Sequence, residues 1–572
     1  MSDAGDLTVN FADIFEFVAD AVPEQLFLVA GDVRLTYAKL DARADRAARL
    51  LRGAGVGPGD HVGLYAMNRA EWVETMIAIL KLRAVPVNVN FRYVAAELRY
   101  LLDDADLVSV VVEQRYLPTL TDVLPDVPSV RSVVVLEDGT PVGDGTPVDD
   151  GTPVDDGTPV DDGTPVGEGT AAGTGPAGYA LLAYEQEPAD IAPVRIPRSG
   201  DDQFIIYTGG TTGMPKGVIW RGEDMFFAGC RRPLPDGSIP EPLEEFLTRH
   251  VAAPPTRSFV LGPLMHGTAT MAILTAFAAA GTVVLWTGRR FDATRILTIA
   301  AAERVGSIAM VGDAMAAPLL DTYGRDRYDL SALTVLVNSG TPLSEPTRDR
   351  IGELLPGVRI FNVFGSSEMA HTGTETGWSR RSRTFRLAED AAVLDDTDLR
   401  PVVPGSGVIG RIARRGRIPL GYHNDPVKTA ATFRTDADGV RWVLPGDLAT
   451  IAADGTAVLL GRANSVVNTG GEKVFPEEVE NALTDHSAVA DAVVVGAPDP
   501  RYGERVVALV VARTGHSIDA AQLQAHCRTL VAGYKVPREI HIVDALTRTP
   551  TGKIDLRWAK RSAQQLSAAQ AQ

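Results

Sequence analysis

One stretch of the chain concentrates residues suited to holding phosphate. Thr208-Gly209-Gly210-Thr211-Thr212-Gly213-Met214-Pro215-Lys216-Gly217 follows directly on the strand-like run Phe204–Tyr207. Glycines and small hydroxyls let backbone N–H groups and Oγ donors close around phosphate oxygens, and Lys216 adds a mobile positive charge. This is not a Walker A loop, because the lysine is preceded by Pro215 and followed by Gly217 instead of Ser or Thr. A flexible Gly-rich turn is the plain alternative; the unbroken run of Thr and Gly leading to a lysine argues against it. Lysine is also scarce, with eight Lys against 47 Arg, so a lysine within a motif is less easily filler.

Elements of alternating period must position that loop. Thr36 is placed to cap a helix through about Arg52, with Leu40, Ala44, Ala47, Leu50 and Leu51 at helical spacing. His61–Met67 reads as a strand, Glu71–Leu82 as a helix with Trp72, Met76, Ile79 and Leu80 on one side, and Val85–Asn90 as a strand. Ala95–Leu102 then reads as a helix and Leu107–Glu113 as a strand. The alternation resumes at Phe204 and runs to about Gly461. Such a pattern predicts parallel sheets covered by helices, with right-handed crossovers and ligands beyond the carboxyl ends of the strands. The tail has another texture: short β-rich runs Ala490–Val495 and Val506–Ala512, a helix Ala520–Leu530 and a strand Ile540–Val543. The expected fold class is α/β, with a large N-terminal body of βα-alternating sheets over residues 1–461. A small α+β domain over 462–572 completes it, and two such units imply a cleft.

Composition narrows the function classes. The 572-residue chain carries a formal charge of −18, with apolar residues at 45% and charged ones at 22%, ordinary globular usage. That acidity argues against a nucleic-acid partner, which needs a basic face for phosphates. Ten of the acids lie in residues 137–168, which hold no Lys or Arg, so the remainder stands at −18 + 10 = −8. Cys230 and Cys527 are too few for a disulfide framework and fit a reducing cytosol. The acidic start MSDAGDL lacks a signal-peptide layout. The most membrane-like run, Ala269–Trp286, suits a buried helix followed by the strand Thr282–Trp286 better than a span. The expectation is a cytoplasmic protein without an integral membrane segment; whether it is a homo-oligomer stays open.

Residues 138–168 repeat at a period of six, with five copies of Gly-Thr-Pro-Val separated mostly by Asp-Asp. A hexapeptide period can mean a β-helix. Each copy offers one Val beside Gly, Pro and acids, too little apolar surface to bury. A disordered, solvated acidic insertion over about 137–178 is expected instead.

With the phosphate loop, the sequence resembles the adenylate-forming acyl-CoA synthetases, a family that also includes luciferases and peptide-synthetase adenylation domains. Further motifs arrive in family order. Pro263-Leu-Met-His266-Gly267 looks like the segment whose His or aromatic lies beside the acyl pocket. Asn338-Ser-Gly340-Thr341-Pro-Leu343 resembles the stretch that packs on adenine, and Phe361-Asn-Val-Phe364-Gly365-Ser366-Ser367-Glu368 the aromatic-Gly-x-Thr-Glu motif. Leu444-Pro-Gly-Asp447, Gly461-Arg462, Gly470-Gly471-Glu-Lys473 and Pro550-Thr-Gly-Lys553 complete the series. The resemblance covers essentially the whole chain apart from the acidic repeat.

The resemblance implies roles that elementary chemistry supports. Thr208 through Gly213 and Lys216 would hold ATP phosphates, and Glu368 would hold Mg²⁺ as a hard oxygen ligand, a surface carboxylate being the plain alternative. Phe364 would stack on adenine without the hydroxyl of the more usual Tyr, beside Gly340, Thr341 and Gly365. Ser366 and Ser367 supply hydroxyls, and Asp447 would accept both ribose hydroxyls. Arg462 would add a ribose or phosphate contact or simply begin the small domain. Attack of a carboxylate on the α-phosphate brings two anions together, and Lys553 would offset that repulsion; in the family the matching Lys leaves when the small domain rotates for thioester formation. His266 would gate the acyl pocket or be a satisfied core histidine. Gly470, Gly471 and Lys473 would face CoA after the rotation. The family usually has Asp or Lys as the hinge two residues after the Arg; here it is Asn464, which tolerates left-handed backbone angles but forms no full ion pair.

The helix-like run Met310–Leu320, with Gly312 and Ala314 among its small residues, would line the acyl pocket or pack closely. Val87–Tyr93, Glu97–Tyr100, Trp220-Arg221, Gly312–Ala316, Gly533–Pro537 and Arg557–Lys560 look like the actinobacterial steroid side-chain CoA ligases. The resemblance thus implies an ATP- and Mg²⁺-dependent enzyme joining CoA to a carboxylic acid, a steroid side-chain acid first and a medium- or long-chain fatty acid second. An acyl-AMP ligase loading a carrier protein and a non-catalytic nucleotide-binding protein are the rivals. Lys216, Glu368, Asp447 and Lys553 together weigh against the last.

Overall fold

The computed structural model describes residues 9–138, 173–174, 178–184, 192–208, 214–326, 328–340, 343–379, 382–462, 465–469, 472–499, 503–531, 533–549 and 553–570. Most of the acidic repeat lies outside these. Its described margins depart from the expected disorder: Asp138 pairs with Arg115 at 2.6 Å, and Gly173–Thr174 pairs with Ala180–Leu181.

Two sheets build the body. In the first, strands 203–208, 85–88, 61–65, 107–113, 132–136 and 180–183 run parallel in that spatial order. Strands 216–221 and 421–422 extend it antiparallel past residue 203. In the second, strands 26–30, 282–285, 257–260, 307–310, 335–338 and 359–366 are parallel neighbours, continued by antiparallel strands from 370–379 onward. Parallel strands buried on both faces read as continuous apolar runs, as Leu107–Glu113 does.

Helices fill the space between the sheets. The helix Tyr37–Gly53 begins where the sequence places it, Thr36 Oγ1 accepting from Lys39 N at 3.3 Å. In Ala70–Lys81 every residue but Glu71 is buried. One apolar cluster unites Leu40 and Leu51 of the first helix, Trp72, Met76 and Ile77 of the second and Phe277 of a third, Gly267–Ala278, with Val62, Val111 and Val134 of one sheet and Leu28, Val283 and Leu285 of the other. Lys81, fully buried, is neutralised by Glu16, Asp41 and Asp45 at 3.3, 2.6 and 2.5 Å, as a buried charge requires. Helices 95–104 and 117–123 cover the outer face of the first sheet, and helices 293–302 and 312–325 that of the second.

The run Ala269–Trp286 is a helix, Gly267–Ala278, and a strand, Thr282–Leu285; no helix among the described residues is long and apolar enough to cross a membrane. The expected helix Met310–Leu320 is corrected at its start: Met310 closes the strand Ser307–Met310 and the helix runs Gly312–Arg325. The terminal domain is α+β, its five-stranded sheet pairing 489–499 with 503–512 and 503–512 with 539–542, under helices 476–484, 520–530 and 556–570.

Candidate active site

Strand ends converge on one place. Thr208, at the end of 203–208, lies directly opposite Lys216 in the antiparallel pair, so the two ends of the phosphate loop are fixed although Gly209–Gly213 lie outside the described residues. A Cβ on Gly217 would sit 2.7 Å from the Tyr207 ring across the pair. That close approach explains the glycine after the lysine.

From the second sheet, strand 359–366 delivers the acidic motif into a tight antiparallel turn. A Cβ on Gly365 would lie 1.9 Å from the Ala370 carbonyl oxygen, and Ala370 takes a positive φ of 48°. The motif's glycine is therefore a steric necessity of the turn that presents Glu368. Trp220 Nε1 donates to the Ser367 carbonyl at 2.9 Å, tying this turn to the strand that carries Lys216. The Tyr422 phenol donates to Glu368 Oε1 at 2.8 Å, and Lys216 Nζ lies 4.9 Å from the centroid of that ring. The buried Ser366 hydroxyl has no hydrogen-bond partner among the described residues.

Behind this turn a polar chain crosses three strands. Gly312 N–H donates to Asn338 Oδ1 at 2.7 Å, Asn338 Nδ2 to Asn362 Oδ1 at 2.9 Å, and Asn362 Nδ2 to Glu375 Oε2 at 2.5 Å. Arg348 closes it on Glu375 at 2.8 Å. The chain couples the start of the helix expected to line the acyl pocket to the strand of the aromatic motif. Gly312 itself is buried and Ala314 exposed. Phe364 packs on Phe385 with centroids 5.3 Å apart. Gly340 has a positive φ of 80°, and Thr341 lies outside the described residues. Asp447, buried, faces Arg462 directly across the strand pair 447–451/457–462.

His266 ends the segment after strand 257–260. Asn88 anchors that segment: its Nδ2 donates to the Tyr207 carbonyl at 3.0 Å and to the Met265 carbonyl, and its Oδ1 accepts from Tyr207 N at 2.8 Å. One buried amide thus joins the strand of Thr208 to the neighbour of His266. Among the described residues, no hydrogen-bond partner reaches the buried His266 Nε2. Burial first, then the Arg92 and Lys553 cations, pushes its imidazole down to about 4. Lys553 itself is exposed, its carbonyl accepting from Thr549 N at 2.6 Å. The terminal lysine therefore comes within electrostatic reach of His266.

The remaining expected residues are reached less fully. Asn464, Gly470 and Gly471 lie outside the described residues, and Lys473 is placed by its backbone only, in strand 472–474. Sequence reasoning passed over Tyr422 and Asn88. A Gly-Tyr pair ahead of Pro426 was the one local signal for the first; Asn88 falls within the Val87–Tyr93 run, but nothing local gives it this role, because its partners are distant in sequence.

Glu368 offers a hard carboxylate oxygen, and the Ser366 hydroxyl a second one that no described residue engages, in the turn that Trp220 ties to the Lys216 strand. That donor set fits Mg²⁺ bound chiefly through substrate phosphates and water. It does not fit an all-protein cage, since no cluster of three His, Cys, Asp or Glu able to hold a metal occurs among the described residues.

Thr208 opposite Lys216 on the first sheet and the Glu368 turn of the second are thus tied together through Trp220. The chain belongs to the AMP-binding enzyme family: residues 15–422 match the AMP-binding enzyme description and 478–553 the AMP-binding enzyme C-terminal domain. It is 40% identical over 569 residues to the 3-oxocholest-4-en-26-oate–CoA ligase of Rhodococcus rhodochrous, covering 97% of this chain and 96% of that protein. It is likewise 40% identical over 561 residues to the medium/long-chain-fatty-acid–CoA/3-oxocholest-4-en-26-oate–CoA ligase of Mycobacterium marinum, with the same coverage of each. Among solved structures, the anthranilate CoA ligase bound to anthranoyl-AMP shares the fold at a TM-score of 0.78 and 23% identity, over 99% of this chain and 100% of that one. The chain is an AMP-forming acid–CoA ligase.

Proposed function

We propose that the enzyme activates a bulky steroid side-chain carboxylic acid as its CoA thioester. The observation that carries this reading is the near full-length 40% identity to relatives named for a cholestenoate substrate. A medium- or long-chain fatty acid is the second reading, favoured by the double name of the Mycobacterium marinum relative.

In the first step a carboxylate oxygen attacks the α-phosphorus of ATP, the bond to the bridging oxygen breaks and pyrophosphate leaves. Thr208, the loop that follows it and Lys216 hold the phosphates; Glu368 would hold Mg²⁺, which when bound would supply positive charge against the phosphates; Asp447 accepts from the ribose hydroxyls. Lys553 bridges carboxylate and α-phosphate and follows the developing charge. His266 stays neutral at working pH, so it does not compete with Lys553 for the carboxylate. In the second step the CoA sulfur attacks the acyl carbonyl, the bond to the phosphate oxygen breaks and AMP leaves with Lys553 withdrawn by rotation about Asn464. Gly470, Gly471 and Lys473 then face CoA. No enzyme thiol takes part: Cys230 and Cys527 are buried, and burial pushes their thiols up to about 12 and about 11.

Mass spectrometry of CoA thioesters formed from a panel of steroid and fatty acids tests the substrate. Preference for steroid side-chain acids is expected; exclusive use of fatty acids overturns the first reading and leaves the second.

A further inference from the structure

Tyr422 stands in none of the motifs the sequence singles out, yet its side chain touches two groups assigned to the nucleotide. Its phenol donates to Glu368 Oε1 at 2.8 Å, and the Lys216 ammonium lies 4.9 Å from its ring centroid. Strand pairing fixes the residue: Tyr422 lies opposite Val218, its N–H donates to Thr429 Oγ1 at 2.9 Å, and His423 N–H donates to the Gly217 carbonyl at 2.8 Å. The ring is buried edge-on against Phe433, centroids 5.9 Å apart. Asp425, paired with Lys428 at 2.6 Å, is a further electrostatic neighbour of Lys216.

We propose that Tyr422 is a positioning residue that holds Glu368 and Lys216 at the spacing a metal-bound triphosphate requires; this rests on Glu368 being the metal ligand. A carboxylate whose second oxygen is hydrogen-bonded keeps one rotamer and presents its other oxygen, and losing such an outer partner typically costs 10- to 100-fold in metal affinity. The ring face attracts the ammonium without neutralising the carboxylate. Without the tyrosine, lysine and carboxylate attract each other directly, and that pair must open before metal or phosphate enters.

The test is direct binding to the full chain, without acid or CoA. Mn²⁺ is titrated in the presence of ATP by electron paramagnetic resonance, and metal-free ATP by calorimetry. Tyr422→Phe keeps the ring; it is expected to weaken Mn²⁺ binding about tenfold or more and to leave metal-free ATP binding within about twofold, since the cation–ring contact survives. Tyr422→Leu is expected to weaken both. A melting temperature of Tyr422→Phe within about 2 °C of the parent separates positioning from loss of folding. Glu368→Gln serves as reference. If it weakens Mn²⁺ and Tyr422→Phe does not, the proposal is overturned while the Glu368 assignment stands. If Glu368→Gln also binds like the parent, the metal assignment falls and the proposal with it.

Discussion

Lys553 of the small domain and His266 of the large body act on each other's charge: the ammonium lowers the imidazole's proton affinity, adding to burial and to Arg92. The lysine proposed for the adenylation step and the expected wall of the acyl pocket thus share one electrostatic environment. Lys553→Ala is expected to slow acyl-adenylate formation about 100- to 1,000-fold, the loss typical of one transition-state donor. Thioester formation from supplied acyl-adenylate should fall far less. Pyrophosphate release and single-turnover thioester assays measure the two steps; retained pyrophosphate release in the variant refutes the role given to Lys553.

The same pair sets a pH dependence. His266 has a folded-state value of about 4 against an ordinary 6.5. The unfolded chain therefore takes up this proton first, and the neutral ring's contribution to stability is whole above pH 6.5 and lost as pH falls toward 4. Lys553→Met should raise the value, and His266→Gln should flatten stability over that window. Titration of the imidazole by nuclear magnetic resonance reads the first and denaturation across the pH range the second; an unchanged His266 value in Lys553→Met contradicts the contact.

Asn464→Pro is expected to spare adenylate formation and abolish thioester formation, because proline fixes φ where a rotation is needed. Equal loss of both half-reactions would remove the hinge role.

Asn88→Ala leaves the Tyr207 N–H and two carbonyls short of a partner at a buried site. A destabilisation of roughly 3 kcal/mol or more is expected, at about 1–3 kcal/mol for each of the three unsatisfied groups, seen as a lower urea midpoint. KM for the acid should also rise, since the His266 segment loses its anchor.

Deleting residues 139–168 should leave turnover within about twofold, because a segment with so little apolar surface contributes little to a packed core. A large loss in CoA-thioester formation would show a role for the repeat.

Much of this was legible in the residues. Leu107–Glu113 and Ala520–Leu530 form the expected elements with the expected limits, because their apolar patterns are long enough to declare a period. Met310 was read as helix because the four-residue strand Ser307–Met310 is too short for alternation to stand out. His266 had two readings that no local pattern separates, because the charges around it, Arg92 and Lys553, come from distant segments. Tyr422 and Asn88 act through partners between about fifty and two hundred positions away, so no local window carries them.

The last strand of the first sheet, Gly421–Tyr422, closes an edge that Lys216–Arg221 otherwise exposes. During synthesis that edge stands open from the time residue 221 emerges until residue 422 follows. At the usual 5–20 residues per second this amounts to roughly 10–40 s. An unpaired apolar strand edge is a template for pairing with other chains. The nascent protein therefore passes through a window in which the strand carrying Lys216 presents an unpaired edge, and slow translation between those two positions should lower soluble yield.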